Sequence, residues 1–216
     1  MKLLFESWRK FVKEGMLQEA AKGPLDLPDD VFVRIQYSSN LVKIYYANSE
    51  GRQFSAAKAS KDGSGAYGFI YIRHTKNESY GQCSDAWMIS RADAADHWGP
   101  MLYDVAIEYA TLNGNGLIAG RDSVSDDAKA VWDYYMNNRS DVNGAQLDDP
   151  YNALTDIESD NSDIESDNCA QEVAGEGWEE SSLSKVWTKD KAMIDALQGS
   201  EKLLGDTSIP SWAREG

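Results

Sequence analysis

Few residues of this chain have the types and the spacing that chemistry needs, and most of them lie between positions 83 and 142. His97 stands in a polar loop, where an imidazole can act as a base, contact a phosphate or simply be solvated. Gly99 and Pro100 follow it, and proline suits the first turn of a helix because its missing N–H is not needed there. The free N–H groups of a helix start also attract anions. The pair therefore indicates either a plain helix start or an anion site.

A second set of candidates is aromatic or cationic. Tyr67, Tyr71 and Trp87 stand in stretches with strand character, where they can line a substrate cleft or pack against neighbouring strands. Arg121 and Arg139 can contact a ligand phosphate or pair with carboxylates at the surface. The residue types alone leave these alternatives open.

Strands must position these residues. Period-two alternation predicts a hairpin of two strands, carried by Val31, Val33, Ile35, Val42, Ile44 and Tyr46. A third strand is predicted over residues 66–73 and a fourth over 84–90. Four consecutive strands with no long helix between them predict an antiparallel sheet.

Helices follow the strands. A helix from Pro100 has an apolar stripe at Leu102, Val105, Ala106, Tyr109 and Leu112, and we expect Asp104 and Glu108 on its opposite face. Residues 113–116 end it, residues 117–119 predict a short strand, and Ser123 or Ser125 can cap the next helix. The predicted fold class is therefore α+β, with a mixed, mainly antiparallel sheet flanked by helices.

The segment from Ala86 to Tyr135 resembles the core of the GCN5-related N-acetyltransferases, in which a strand, a pyrophosphate-binding turn, a helix, a strand and a closing helix follow one another. That family's turn has the form Gln or Arg, two residues, Gly, one residue, Gly or Ala. The matching positions here hold Ala94, His97 and Gly99. The family's closing helix has Asn, two residues, Ala, three residues, Tyr; the matching positions hold Ser125, Ala128 and Trp132.

The resemblance implies acetyl-CoA as a cofactor and a direct transfer of its acyl group to an amine. It implies cofactor contacts at Trp98, Gly99, Pro100, Met101, Leu102 and Ser125. The amine, from a small molecule or a protein, would approach along splayed central strands in a cleft formed by Trp87, Met88, Ile89 and Trp132.

The catalytic roles are also implied by the resemblance. His97, or a carboxylate acting through water, would serve as the base. Trp132 has no hydroxyl proton to give, so Tyr134 or Tyr135 would take the acid role of the family's tyrosine. Trp132 and Tyr135, spaced i and i+3, can equally be core aromatics.

Charge and composition narrow the possible partners. The formal net charge is −15, which disfavours nucleic acid because phosphate binding needs a basic surface. No apolar run is long enough to span a bilayer, so we expect a soluble, intracellular protein. Cys83 and Cys169 stand in unrelated contexts and the chain has 2 histidines, so neither a disulfide framework nor a metal site is predicted.

We expect four parts along the chain. Residues 1–22 predict an amphipathic helix, either a detachable targeting element or a helix packed on the domain. Residues 29–142 form the acetyltransferase-like domain. Residues 143–180 hold twelve acidic and no basic side chains, with one tandem repeat of seven residues, and predict a linker or loop. Residues 181–216 regain apolar character and predict a helical segment.

The N-terminal helix also resembles the capsid-targeting helices of internal head proteins in large tailed phages. Those helices end at a processing site formed by a hydrophobic residue, any residue and Glu, which Leu17, Gln18 and Glu19 match before Ala20. The resemblance implies a capsid or other protein partner for residues 2–22 and a location in the host cytoplasm or the virion.

Two functions are therefore predicted as alternatives. The first is an N-acyltransferase that uses acetyl-CoA. The second is a non-catalytic phage virion or interaction protein that retains the same fold, and the substitutions at His97 and Trp132 favour it.

Overall fold

The computed structural model describes residues 22–38, 41–54, 67–75, 85–95, 97–120, 124–147 and 180–209. These residues form one eight-stranded mixed sheet with helices packed against it. The expected α+β class is thus confirmed. The predicted helix over residues 1–22, except for Lys22, and the acidic stretch over residues 148–179 lie outside the described residues.

The first four strands form an antiparallel meander. They are β1 (Phe32–Ser38), β2 (Leu41–Ala47), β3 (Gly68–His74) and β4 (Trp87–Ala94). Alternate side chains such as Val33 and Ile35 are almost completely buried. Because successive side chains of a strand point to opposite faces of the sheet, this burial produces the period-two pattern from which the strands are predicted. The fourth strand begins and ends later than the sequence predicted.

The remaining strands extend the sheet at both edges. They are β5 (Leu117–Ile118), β6 (Val142–Gln146), β7 (Lys185–Lys189) and β8 (Leu203–Leu204). The strand order is β6-β7-β5-β4-β3-β2-β1-β8. β5 runs parallel to β4, and β7 lies antiparallel between β5 and β6.

The helices of the described part are α1 (Gly99–Leu112), α2 (Asp126–Asn138) and α3 (Met193–Gly199), with short 3-10 helices at Pro24–Asp26 and Ser182–Ser184. α1 connects β4 to the parallel strand β5, and all of its residues from Gly99 to Ala110 are buried. The spacing places Asp104 and Glu108 on the face of α1 opposite its apolar stripe, and both carboxylates are nevertheless buried among partners from distant segments. No helix within the described ranges is long and apolar enough to cross a membrane.

The C-terminal residues contribute strands as well as the helix that the sequence predicts there. β7 enters the sheet between β5 and β6, and β8 pairs with β1 at the far edge. At β6 a glycine allows this packing: a Cβ on Gly144 would lie 2.8 Å from Cζ3 of Trp187. These strands could not be predicted from the sequence, because β6 and β7 have five residues each and β8 has two. Such short segments have too few residues to show an alternation of apolar and polar side chains.

Candidate functional site

A cleft opens where the two parallel central strands separate. β4 and β5 pair only at Trp87 with Leu117 and at Met88 with Ile118, and β4 then continues to Ala94 while β5 ends. In the described part of the chain no strand pairs with β4 beyond Met88 on this side. The backbone groups along that edge are therefore open to a ligand that adds like a further strand.

A cavity of about 280 Å³ occupies this separation. That volume is close to the lower end of the range for small-molecule sites, roughly 300 Å³. β4 supplies one wall together with Phe69 and Ile70 of β3, and α1 and α2 supply the others. The described lining residues are Phe69, Ile70, Ile89, Ser90, Arg91, Ala92, Asp93, Ala94, Gly99, Leu102, Tyr103, Gly120, Val124, Ser125, Ala128, Val131 and Trp132.

A bulge shapes the wall formed by β4. Tyr71 of β3 lies opposite Arg91, but the next residue, Ile72, lies opposite Ile89, so Ser90 is an extra residue in β4. The Ser90 hydroxyl donates a hydrogen bond of 3.1 Å to the Tyr71 carbonyl. Since a bulge bends its strand and increases the local twist, Ser90 contributes to turning β4 away from β5.

The turn before α1 forms one end of the cleft. His97 has a φ of 70°, in the left-handed region, and reverses the chain before the helix begins. Trp98 is fixed behind it: its ring lies 5.4 Å from Tyr46 and 5.0 Å from Tyr67, and its carbonyl accepts a hydrogen bond from the Tyr46 hydroxyl at 2.7 Å. This anchoring positions Gly99, the first residue of α1, at the cavity wall.

One face of α2 forms the opposite wall. Ser125 caps the helix by accepting a hydrogen bond of 3.2 Å from the Ala128 N–H. Ser125, Ala128 and Trp132 are spaced at i, i+3 and i+7, so they share that face and all three line the cavity. Trp132 is 1% exposed and stacks on Trp187 at 6.0 Å. The three residues that match the closing-helix pattern of the acetyltransferase family therefore line one cavity. Trp132 places an indole where that pattern has a tyrosine.

The predicted cofactor and cleft residues divide into two groups. Gly99, Leu102, Ser125, Ile89 and Trp132 line the cavity. Five others are not among its described lining residues: Trp98, Pro100, Met101, Trp87 and Met88.

Trp87 and Met88 lie in the core at the closed end of the cleft. Trp87 is fully buried, and its indole N–H donates to the Asn113 carbonyl at 3.2 Å. Met88 is 2% exposed and belongs to an apolar cluster with Ala86 and Ile118. Both residues therefore support the point from which β4 and β5 diverge.

The predicted catalytic residues lie apart from the cavity lining in the described chain. Tyr135 is 2% exposed, and its hydroxyl donates to Asp104 at 2.7 Å. Tyr134 is half-buried and packs edge-on against Tyr135, with ring centroids 6.1 Å apart. His97 supports the turn rather than the cavity wall.

A network of charged groups lies behind α1; it is buried at Asp104 and reaches solvent at Asp141. Asp104 accepts a hydrogen bond of 3.0 Å from Arg139, which also donates to Asp141 at 2.7 Å. Burial raises the pKa of Asp104, although Arg139 and Lys189 lower it in part. Hydrogen bonding to Arg139 lowers the pKa of Asp141, and hydrogen bonding to Asp141 raises the pKa of Arg139. These groups hold α1 and α2 together behind the cleft.

Sequence reasoning missed three polar residues at the cavity. Asp93 and Arg91 are its charged side chains among the described residues, and Tyr103 adds a phenol from the first turns of α1. Burial raises the pKa of Asp93, and Arg91 and the backbone N–H at Ala94 lower it in part. Arg91 and Asp93 were missed because the fourth strand is predicted to end at Ser90, which leaves both residues in a loop. In the structure β4 continues to Ala94 and brings them to the cavity.

Groups of three His, Cys, Asp or Glu side chains that could hold a metal ion are absent from the described residues. Comparison of the chain with protein-family models, with curated proteins and with solved structures found no match.

Proposed function

We propose that this protein binds acetyl-CoA in the cleft between β4 and β5 and transfers the acyl group to an amine. The observation that carries the proposal is the divergence of the two parallel strands around a cavity walled by the first turns of α1 and one face of α2. This arrangement agrees with the splayed strands that the resemblance to the GCN5-related N-acetyltransferases implies. The positions matched to that family's closing helix, Ser125, Ala128 and Trp132, face the same space.

The backbone supplies most of the contacts for the acyl donor. The open edge of β4 from Ile89 to Ala94 offers N–H and C=O groups to an extended chain with amide bonds. Gly99 brings the positive end of α1 to the cavity, where a pyrophosphate would be favoured. The net charge of −15 does not oppose this, because twelve acidic residues lie in the stretch 143–180 and the described cavity lining has one acid and one base.

Asp93 supplies a proton acceptor for the incoming amine. It is the carboxylate among the described lining residues, and partial burial raises its pKa, although Arg91 and the Ala94 N–H lower it in part. The resemblance implied His97 or a carboxylate acting through water. The position of Asp93 in the cavity wall favours the carboxylate.

Calorimetric titration with acetyl-CoA tests the binding step. Gly99→Val adds a branched side chain at the cavity wall, and we expect it to weaken binding at least tenfold. Gly199→Val is the matched control, because nothing lies within 4 Å of a Cβ at that position. The proposal fails if the wild-type chain shows no binding at millimolar acetyl-CoA, or if both variants bind as the wild type does.

A second function remains as an alternative, a non-catalytic virion or interaction protein of the same fold. Trp132 favours it, because an indole that stacks on Trp187 stands where the family pattern has a proton-donating tyrosine. Mass spectrometry of virion-associated protein tests the processing site at Leu17, Glu19 and Ala20. An intact peptide spanning residues 1–20 in mature particles contradicts processing there.

A further inference from the structure

Three hydroxyl groups belong to the described lining of the cavity, and two of them have structural hydrogen bonds. Ser90 donates to the Tyr71 carbonyl at 3.1 Å, and Ser125 accepts from the Ala128 N–H at 3.2 Å. The hydroxyl of Tyr103 makes no hydrogen bond within the described part of the chain. This hydroxyl is not one of the fully buried polar atoms that lack a partner, so it remains accessible and can form a hydrogen bond with a ligand in the cavity.

Tyr103 is held rigidly at this position. It is 6% exposed, lies in α1 and packs its ring edge-on against Trp132 with centroids 5.8 Å apart. Trp132 occupies the position of the family's tyrosine, so the ring contact brings a phenol from α1 beside the place where α2 lacks one. Tyr135 lies behind both rings, 6.4 Å from Tyr103, with its hydroxyl bonded to Asp104.

We propose that Tyr103 is the catalytic acid of the acyl transfer, an inference that rests on the function proposed above. The amine nitrogen attacks the acyl carbon, a C–N bond forms and the C–S bond breaks. The sulfur keeps the electron pair of that bond and takes the proton of the Tyr103 hydroxyl. The proton lost by the amine passes to Asp93 or water, and water then reprotonates Tyr103.

Burial favours the required protonation state. It raises the pKa of Tyr103, so the phenol keeps its proton at neutral pH. Tyr134 and Tyr135, the acids implied by the resemblance, do not belong to the described cavity lining.

Binding of CoA and desulfo-CoA, measured by calorimetry on the full chain, tests contact between Tyr103 and the sulfur. We expect the wild-type protein to bind CoA about fivefold more tightly than desulfo-CoA, as one hydrogen bond allows. In Tyr103→Phe this preference should disappear while binding of desulfo-CoA is retained. Tyr37→Phe, on β1, is the control and should keep the preference.

Release of the CoA thiol from acetyl-CoA, with hydroxylamine as the acceptor, tests proton donation. We expect Tyr103→Phe to lower the turnover rate about 100-fold with acetyl-CoA binding unchanged, a typical contribution of one acid. A wild-type rate in this variant, or an equal preference for CoA in both proteins, overturns the role of Tyr103 and leaves the acyltransferase function in place. Absence of CoA binding or of thiol release in the wild-type protein overturns both proposals.

Discussion

Tyr135 and Asp104 form a buried hydrogen bond of 2.7 Å that links α2 to α1 behind the cleft. The other carboxylate oxygen of Asp104 is held by Arg139, whose guanidinium also lies over the Tyr135 ring, 5.1 Å from its centroid. The phenol therefore holds two helices at a fixed separation. Since both helices contribute walls to the cavity, this bond supports the site without entering it.

Removing the hydroxyl group of Tyr135 should reduce the stability of the fold and leave ligand binding intact. Tyr135→Phe deprives a buried carboxyl group of a donor, and we expect a loss of about 1–3 kcal/mol in the free energy of unfolding. Urea denaturation followed by tryptophan fluorescence measures it. Tyr134→Phe is the control and should change stability by less than about 0.5 kcal/mol. A large loss of acetyl-CoA affinity in Tyr135→Phe at full folding would contradict this assignment.

Asp141 should make stability dependent on acid pH. Hydrogen bonding to Arg139 lowers the pKa of this carboxyl from its ordinary value of 3.8. The charged form is therefore favoured by the fold, and its contribution is present above pH 3.8 and is lost as the pH falls through the lowered folded value. The side chain of Asp141 is 52% exposed, so solvent screening keeps the contribution to less than about 1 kcal/mol.

The variant Asp141→Asn isolates that contribution. We expect it to be less stable than the wild type between pH 5 and 7, roughly. The two stability curves should then converge as the pH falls below the ordinary carboxyl range. Urea denaturation at a series of pH values measures the difference, and a gap that widens towards low pH would show that the sign is wrong.

The burial of Asp104 and Glu108 shows where sequence reasoning reached its limit. Their spacing on α1 predicts a polar face, and amphipathic spacing cannot distinguish a solvated carboxylate from a paired one. The partners that decide the matter, Arg139 and Lys189, lie 35 and 81 residues further along the chain. Such pairings are determined by the tertiary fold and cannot be predicted from the local sequence pattern.

Prediction of the cleft residues met the same limit, because some of the contacts that form the cleft join residues far apart in the sequence. The resemblance to the acetyltransferase family implied Ile89 as a cleft residue and Gly99 and Ser125 as cofactor contacts, and all three line the cavity. Tyr103 was not predicted, because the stripe pattern of α1 assigns it to neither face and only the packing of α2 places Trp132 against it. β7 was missed because its contacts lie with β5 and β6.

Glu108 should be among the most sensitive positions for stability. Its fully buried carboxylate accepts hydrogen bonds from the N–H groups of Met193 at 2.8 Å and Ile194 at 2.7 Å, and pairs with Lys189. Glu108→Ala leaves the Lys189 charge and the start of α3 without these acceptors, and we expect a loss of about 3–5 kcal/mol. Chemical denaturation measures the loss.

Two further variants separate the pair from its surroundings. Glu108→Leu combined with Lys189→Met removes both charges and should recover the part of the loss that comes from the unpaired Lys189 charge, while the N–H groups of Met193 and Ile194 still lack acceptors. Lys129→Ala breaks an exposed i, i+4 pair with Asp133 and should cost less than about 0.5 kcal/mol. Equal losses in Glu108→Ala and Lys129→Ala would contradict the importance of the buried pair.

A large side chain placed in the cavity should weaken ligand binding without disturbing the fold. Ala128 lies in the α2 wall, so the ring in Ala128→Phe would occupy space between α2 and β4. We expect acetyl-CoA binding to weaken at least tenfold by calorimetry. Ala130→Phe makes the same change on α2 outside the described cavity lining and should retain binding. Because the two variants differ only in which face of one helix receives the ring, equal binding by both would place the ligand elsewhere on the molecule.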